Sequence, residues 1–187
     1  TEGSSWLYLP FRGDQLATLR TPIATWLDMA IGATLSLEPC DQRRIWFGLD
    51  ELAALGLIPL LETLLTRGRK QGCAAVVGLQ SLSQLRDSYG RERAQTLLSS
   101  LSTWLVLRSP DAETADYFSR FLGDQDVLSP QYAVSRSALF QSTQSHTWQV
   151  NPKRLVLPST LQALPDRVGF LKLAGEYPGC QGAIPLF

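Results

Sequence analysis

The residues with the clearest chemical potential are Asp50 and Glu51, adjacent carboxylates that close the run Arg43-Arg-Ile-Trp-Phe-Gly-Leu-Asp-Glu51. Its apolar part, residues 45–50, predicts a strand buried on both faces. The C-terminal end of such a strand opens on the crevice where ligands bind in open α/β sheets. There the first carboxylate can hold Mg2+ through water while the second polarises an attacking water. Acidic pairs at strand ends also serve as turn starters or as charges at a helix N-terminus, and the segment alone does not choose between these readings.

A second polar residue follows the same logic. Gln80 ends the next apolar run, residues 74–80, and its amide would emerge on the edge that carries Asp50 and Glu51 if the two strands are neighbours. A glutamine there can sense a terminal phosphate or orient water; the plainer alternative is a cap for the helix that begins at Ser81. Between the two strands lies the basic cluster Thr66-Arg-Gly-Arg-Lys-Gln-Gly72. Cations suit a helix C-terminus on dipole grounds, yet Arg69 could also reach a phosphate site on an adjacent subunit.

The elements that must position these groups alternate between apolar runs and helical patterns, the signature of a largely parallel sheet covered by helices. Strands are expected at 6–10, 45–50, 74–80 and 104–107. Helices are expected at about 15–37 (kinked or divided at Pro22), 60–70, 83–102 (interrupted near Tyr89 and Gly90) and 111–122, the last capped by Ser109 or Asp111. Residues 124–151 are polar and read as a hairpin or an irregular excursion, followed by short strand-like runs at 154–157 and 168–173.

Composition bounds the function. At 187 residues one domain is expected, and 44% hydrophobic residues suffice for a real core. Seventeen basic residues balance seventeen acidic ones, so the basic excess of a stand-alone nucleic-acid-binding module is missing. Any contact with DNA must be local or shared between subunits; Arg86, Arg91 and Arg93 read equally as channel lining and as solvated helix charges. Cys40, Cys73 and Cys180 are far apart and form no CxxC pair, which argues for reduced thiols in a cytosolic setting, without a disulfide framework or a zinc site. His146 is the sole histidine; it excludes a histidine-rich metal site and reads as a surface residue in a polar run. The most apolar helical stretch, 21–37, carries Asp28 and is shorter than the ~20 apolar residues a membrane span requires.

Taken in order, Asp50-Glu-Leu, Pro59, Arg69-Lys-Gln-Gly-Cys73, Gly78-Leu-Gln-Ser81, Gln84-Leu-Arg-Asp-Ser-Tyr-Gly90 and Arg108-Ser-Pro110 resemble the motor domain of type IV coupling proteins, the TraD/TrwB-like family of bacterial conjugation. Leu155-Val-Leu-Pro-Ser159, Leu161-Gln-Ala-Leu-Pro165 and Leu173-Ala-Gly-Glu-Tyr-Pro178 are similar to that family's closing strands, so the likeness runs from about Leu7 to the end. It implies an α/β fold: part of a RecA-like P-loop NTPase, mostly parallel sheet flanked by helices, with a short β-rich C-terminal region. Residues 1–187 would form the C-terminal part of the nucleotide-binding domain.

The resemblance also implies a function. Such proteins are membrane-anchored hexameric ATPases with the motor on the cytoplasmic side of the bacterial inner membrane. They bind DNA without strong sequence preference and bring relaxase-bound DNA to a type IV secretion channel. In this chain Asp50 resembles the Walker B magnesium aspartate, Glu51 the catalytic glutamate and Gln80 the sensor glutamine. Arg69 resembles the arginine finger offered to a neighbouring subunit; the implied cofactors are ATP and Mg2+. No GxxxxGK[ST] loop occurs, although that loop's amides and lysine cradle the phosphates. The membrane helices, the Walker A strand and an all-α insertion would lie upstream of Thr1, and the chain alone is expected to bind ATP weakly or not at all. Two other readings stay open: a non-hydrolytic binding module on a RecA-like sheet, and another hexameric DNA-translocating motor.

Overall fold

The computed structural model describes residues 5–136, 142–175, 177 and 179–185; for 132–136 and 142–147 it describes the backbone alone. Helices and strands both contribute, and the chain divides into two compact units, Thr1–Ser102 and Thr103–Phe187.

The first unit opens with helix α1, Leu16–Leu35, which carries Pro22 in its interior and buries Leu27, Ile31 and Thr34 at helical spacing. Strand β1, Ile45–Leu49, follows, and then a one-turn helix α2, Leu52–Leu55. Helix α3, Leu61–Arg67, runs into a 3-10 turn, Gly68–Gln71, so the expected helix over 60–70 is present but tightens at its end. Strand β2, Cys73–Val77, pairs with β1 in parallel, Ile45 opposite Cys73 and Leu49 opposite Val77. Helix α4, Leu82–Tyr89, and helix α5, Arg91–Ser100, complete the unit. The break between them falls where the sequence placed it, because Gly90 takes a φ of 77° that side chains disfavour.

Asp28 looks misplaced in the apolar sequence of α1, and the fold explains it. Its carboxylate accepts the backbone N–H of Leu60 at 2.7 Å, at the start of α3. The first N–H groups of a helix lack internal partners. A side chain from another helix thus supplies the cap that Leu60 cannot.

The second unit begins with β3, Trp104–Val106, and helix α6, Ala112–Leu122. The cap of α6 is Asp111, whose carboxylate accepts the N–H of Thr114 at 2.9 Å; Ser109 is buried and its hydroxyl donates to the Leu107 carbonyl instead. Strands β4, Asp124–Arg136, and β5, Ser142–Arg154, form the antiparallel hairpin expected of the polar region. An ion pair between Arg154 and Asp124 at 3.1 Å closes its base. Helix α7, Pro158–Gln162, and strands β6, Val168–Lys172, and β7, Cys180–Ala183, follow. β6 pairs antiparallel with both β3 and β7, so parallel pairing among the described residues is confined to β1 and β2.

The core of this unit is aromatic. Trp104 meets Phe118 and Phe121 with ring centroids 5.3 and 5.5 Å apart, and the Lys172 ammonium sits 4.5 Å from the Phe121 ring centre. The segment Arg108-Ser-Pro110 docks on the segment Leu161–Pro165 and its flank: Ser109 N–H donates to the Leu161 carbonyl at 3.1 Å, and Arg108 pairs with Asp166 at 2.7 Å.

Two strand expectations differ from the structure. Residues 6–10 form no strand and pair with nothing described, and Trp6, Leu7 and Tyr8 are 75%, 67% and 74% exposed. An apolar run becomes a strand only where a partner completes its ladder. Of residues 154–157 only Arg154 is in a strand; Pro158, preset for the first turn of α7, ends the run. Glu176 and Pro178 of the Leu173–Pro178 motif lie outside the described residues, as does the side chain of His146, whose backbone stands opposite Tyr132 in the hairpin.

Candidate active site

Because β1 and β2 run in parallel and in register, their C-terminal ends finish side by side. The ladder continues one step beyond the strands. Gly78 N–H donates to the Leu49 carbonyl at 2.9 Å, and Leu52 N–H donates to the Gly78 carbonyl at 3.0 Å. These two bonds bracket Asp50 and Glu51 and fasten their turn to β2. Asp50 is exposed and Glu51 half-buried, both at the edge where Gln80 also emerges.

Glu51 has φ 53° and ψ 55°, the left-handed conformation, although it is not a glycine. Side chains pay roughly 1–2 kcal/mol there, because Cβ crowds the following carbonyl. Such outliers persist where surrounding bonds over-determine them, and they cluster at functional sites.

Gln80 lies three residues past the last residue of β2, so the apolar run 74–80 is longer than the strand it contains. Nor is it the cap of α4. That position belongs to Ser81, whose hydroxyl accepts the N–H of Gln84 at 3.3 Å. The Gln80 side chain is exposed on the carboxylate edge.

Arg69 stands elsewhere. It is exposed in the 3-10 turn that precedes β2, at the opposite end of the strand pair. The five residues of β2 separate that end from the carboxylate edge by about 16 Å at ~3.3 Å per residue. The structure therefore sets Asp50, Glu51 and Gln80 at one end of the strand pair and Arg69 at the other. An open depression of about 710 Å3 lies at the Arg69 end, rimmed by Arg67, Arg69 and Lys70.

Helix α4 holds the loop that follows the carboxylates. Ser88 Oγ donates to the Ala53 carbonyl at 3.1 Å, and the Tyr89 hydroxyl accepts the Ile58 N–H at 3.3 Å. Burial pushes the Tyr89 phenol from its usual 10.0 up to about 12. The sequence run 84–90 carried resemblance only; its mechanical role depends on contacts 31 and 35 residues away.

Among the described residues no group of three or more His, Cys, Asp or Glu could hold a metal, so nothing here forms a closed cage. Two adjacent carboxylates still suit Mg2+, which is ordinarily held by one or two carboxylates together with substrate phosphates. Cys40, Cys73 and Cys180 are free thiols. Backbone N–H groups of Gln42 and Arg43 lower the Cys40 thiol, while burial raises that of Cys73. Among the described residues no helix is long and apolar enough to cross a membrane.

Comparisons with known proteins bear on the family and the fold. The family model described as the type IV secretion-system coupling protein DNA-binding domain matches residues 1–185. The coupling protein TraD of Escherichia coli K12 is 32% identical over 177 residues, covering 94% of this chain and 24% of TraD. The conjugal transfer protein TraG of Agrobacterium fabrum C58 is 35% identical over 116 residues, covering 62% of this chain and 18% of TraG. An unbound structure of the conjugative coupling protein TrwB superposes with a TM-score of 0.82 at 33% identity, over 94% of this chain and 40% of that one. A TrwB structure in complex with ADP and Mg2+ superposes with a TM-score of 0.79 at 33% identity, over 94% of this chain and 38% of that one. The chain thus spans about a quarter of TraD and two fifths of the solved TrwB chain, which itself lacks an N-terminal stretch, and its fold is an α/β, RecA-like fragment. Both the matched model and these relatives lead to one assignment: the chain belongs to the family of type IV secretion-system coupling protein DNA-binding domains.

Proposed function

We propose that this chain supplies the water-activating half of an ATP site in a conjugative coupling motor, with residues 1–187 as the C-terminal part of the nucleotide-binding domain. The observation that carries the reading is the convergence of Asp50, Glu51 and Gln80 on the C-terminal edge of the parallel pair β1–β2. Asp50 would hold Mg2+, which when bound with ATP neutralises charge on the phosphates. Glu51, fixed by its bracketed turn, accepts a proton from the attacking water. Gln80 orients that water or senses the terminal phosphate. Arg69 lies at the other end of β2 from its own carboxylates and serves the nucleotide of a neighbouring copy, where guanidinium stabilises charge on the transferred phosphoryl group.

The phosphate cradle comes from residues outside this sequence, so the chain alone binds ATP weakly. In the assembled motor, a homo-hexamer at the bacterial inner membrane with this part in the cytoplasm, hydrolysis drives relaxase-bound DNA toward the type IV secretion channel. DNA is held without sequence preference through sites shared among copies, in keeping with a net charge of zero.

Magnesium-dependent ATP turnover by a longer protein that includes a phosphate-binding loop tests the reading. Glu51→Gln is expected to lower kcat by about 10²–10⁴ while ATP still binds. Unchanged turnover in that variant would remove the motor assignment at its chemical centre.

A further inference from the structure

Gly78 occupies a place that no other residue fills without consequence. A Cβ built on it would stand 2.9 Å from Asp50 Oδ1, 3.3 Å from the backbone N of Glu51 and 3.6 Å from Asp50 Cα. The first distance is inside any tolerable contact. The atom it strikes is not backbone but the end of the Asp50 side chain. The Asp50 carboxylate therefore leans across the end of β2, over the one position of that strand's exit that lacks a side chain.

Gly78 is not there for its backbone freedom. It is absent from the residues with positive φ, unlike Gly72 and Gly90 on either side of it. Its N–H and carbonyl both serve the ladder that brackets the carboxylate pair, which any residue could do. What only glycine supplies is the empty space under Asp50.

We propose that Gly78 is a positioning residue for the metal-holding carboxylate: by leaving that space, it lets Asp50 Oδ1 reach across β2 toward the nucleotide side of the edge. The proposal rests on the reading of Asp50 given above. Its physical content is a separation of stability from function. An alanine methyl is accommodated by swinging one short, exposed side chain and by a shift of a few tenths of an ångström at the Glu51 backbone N, which displaces the group that Mg2+ needs at little cost to the fold. Groups that orient metal-binding carboxylates are typically worth 10–100-fold in metal affinity.

The test uses the full-length ATP-hydrolysing protein that carries this chain. Gly78→Ala is expected to raise the Mg2+ concentration for half-maximal turnover by about 10–100-fold with a nearly unchanged thermal midpoint. In an Asp50→Ala background, where the Mg2+ requirement is already lost, the same substitution should leave the thermal midpoint unchanged, because the atom it displaces is gone. An unaltered Mg2+ requirement in Gly78→Ala overturns the proposal. So does a loss of folding that Asp50→Ala fails to relieve, since the clash would then lie with the Glu51 backbone; relief by Asp50→Ala supports it. If Asp50→Ala alone leaves the Mg2+ requirement intact, the reading of Asp50 fails, and that result is distinguishable from a failure at Gly78.

Discussion

The hydroxyl of Tyr89, at the last turn of α4, accepts the backbone N–H of Ile58 at 3.3 Å, in the loop that follows the carboxylate pair. Both residues are buried, at 7% and 1% exposure. Tyr89→Phe keeps the ring and strands the Ile58 N–H without a partner, a loss of about 1–3 kcal/mol in denaturant unfolding. Burial of the same phenol gives an alkaline signature, which the Ile58 N–H partly opposes. Because the folded phenol titrates near 12 and the unfolded one near 10.0, the native state keeps its proton longer. Stability is therefore full below about pH 10 and falls as pH rises toward 12. Unfolding midpoints measured across that window should flatten in Tyr89→Phe.

Glu51 invites an inverted glycine experiment. In most positions glycine is the poorer choice, but in a left-handed conformation it relieves crowding. Glu51→Gly should exceed Glu51→Ala in stability by roughly 1 kcal/mol, although both lack the carboxylate. Chemical denaturation of the two variants side by side decides it. Equal stabilities would mean that the backbone there bears no strain.

Asp28 offers a cap supplied at a distance. Asp28→Ala removes the acceptor for Leu60 N–H and should destabilise by about 0.5–2 kcal/mol. Asp28→Asn keeps an acceptor oxygen and should lose less. Amide exchange at Leu60 is the local readout, with faster exchange expected in the alanine variant alone.

The thiols should sort by environment. Amide groups at Gln42 and Arg43 favour the Cys40 thiolate, whereas burial disfavours that of Cys73. Alkylation near neutral pH followed by peptide mass mapping should find Cys40 modified before Cys73. The reverse order would contradict the hydrogen bonds drawn to Cys40.

The sequence made some of this visible and hid the rest for identifiable reasons. Asp50 and Glu51 were legible because an apolar run ends on them abruptly, although the expected burial on both faces is not met. Phe47 and Leu49 are buried while Trp46, on the other face of the alternation, is 62% exposed, since no described element covers that face of β1. Gly90 and Asp111 were legible because a helix break and a helix cap are local choices. The left-handed turn at Glu51 was not, since glutamate has no preference for it and bonds to Gly78 impose it. The space at Gly78 depends on strand register, and the bonds from Ser88 and Tyr89 depend on how α4 lies over the preceding loop. Residues 6–10 failed in the opposite direction: they have the composition of a strand but no ladder. Arg69 could be recognised by type, yet its distance from the carboxylates emerges only once β2 is seen to run between them.

That distance has a genetic corollary. If each copy's Arg69 completes a site whose carboxylates belong to its neighbour, a chain lacking the guanidinium carries an intact edge of its own and spoils one it does not encode. In a cell that also makes the wild type, one altered copy would idle the carboxylates of a wild-type partner. An allele lost at Glu51 would instead disable the site its own chain builds. Two lesions in the same 187 residues would then be felt in different chains, set by which end of a five-residue strand each one occupies.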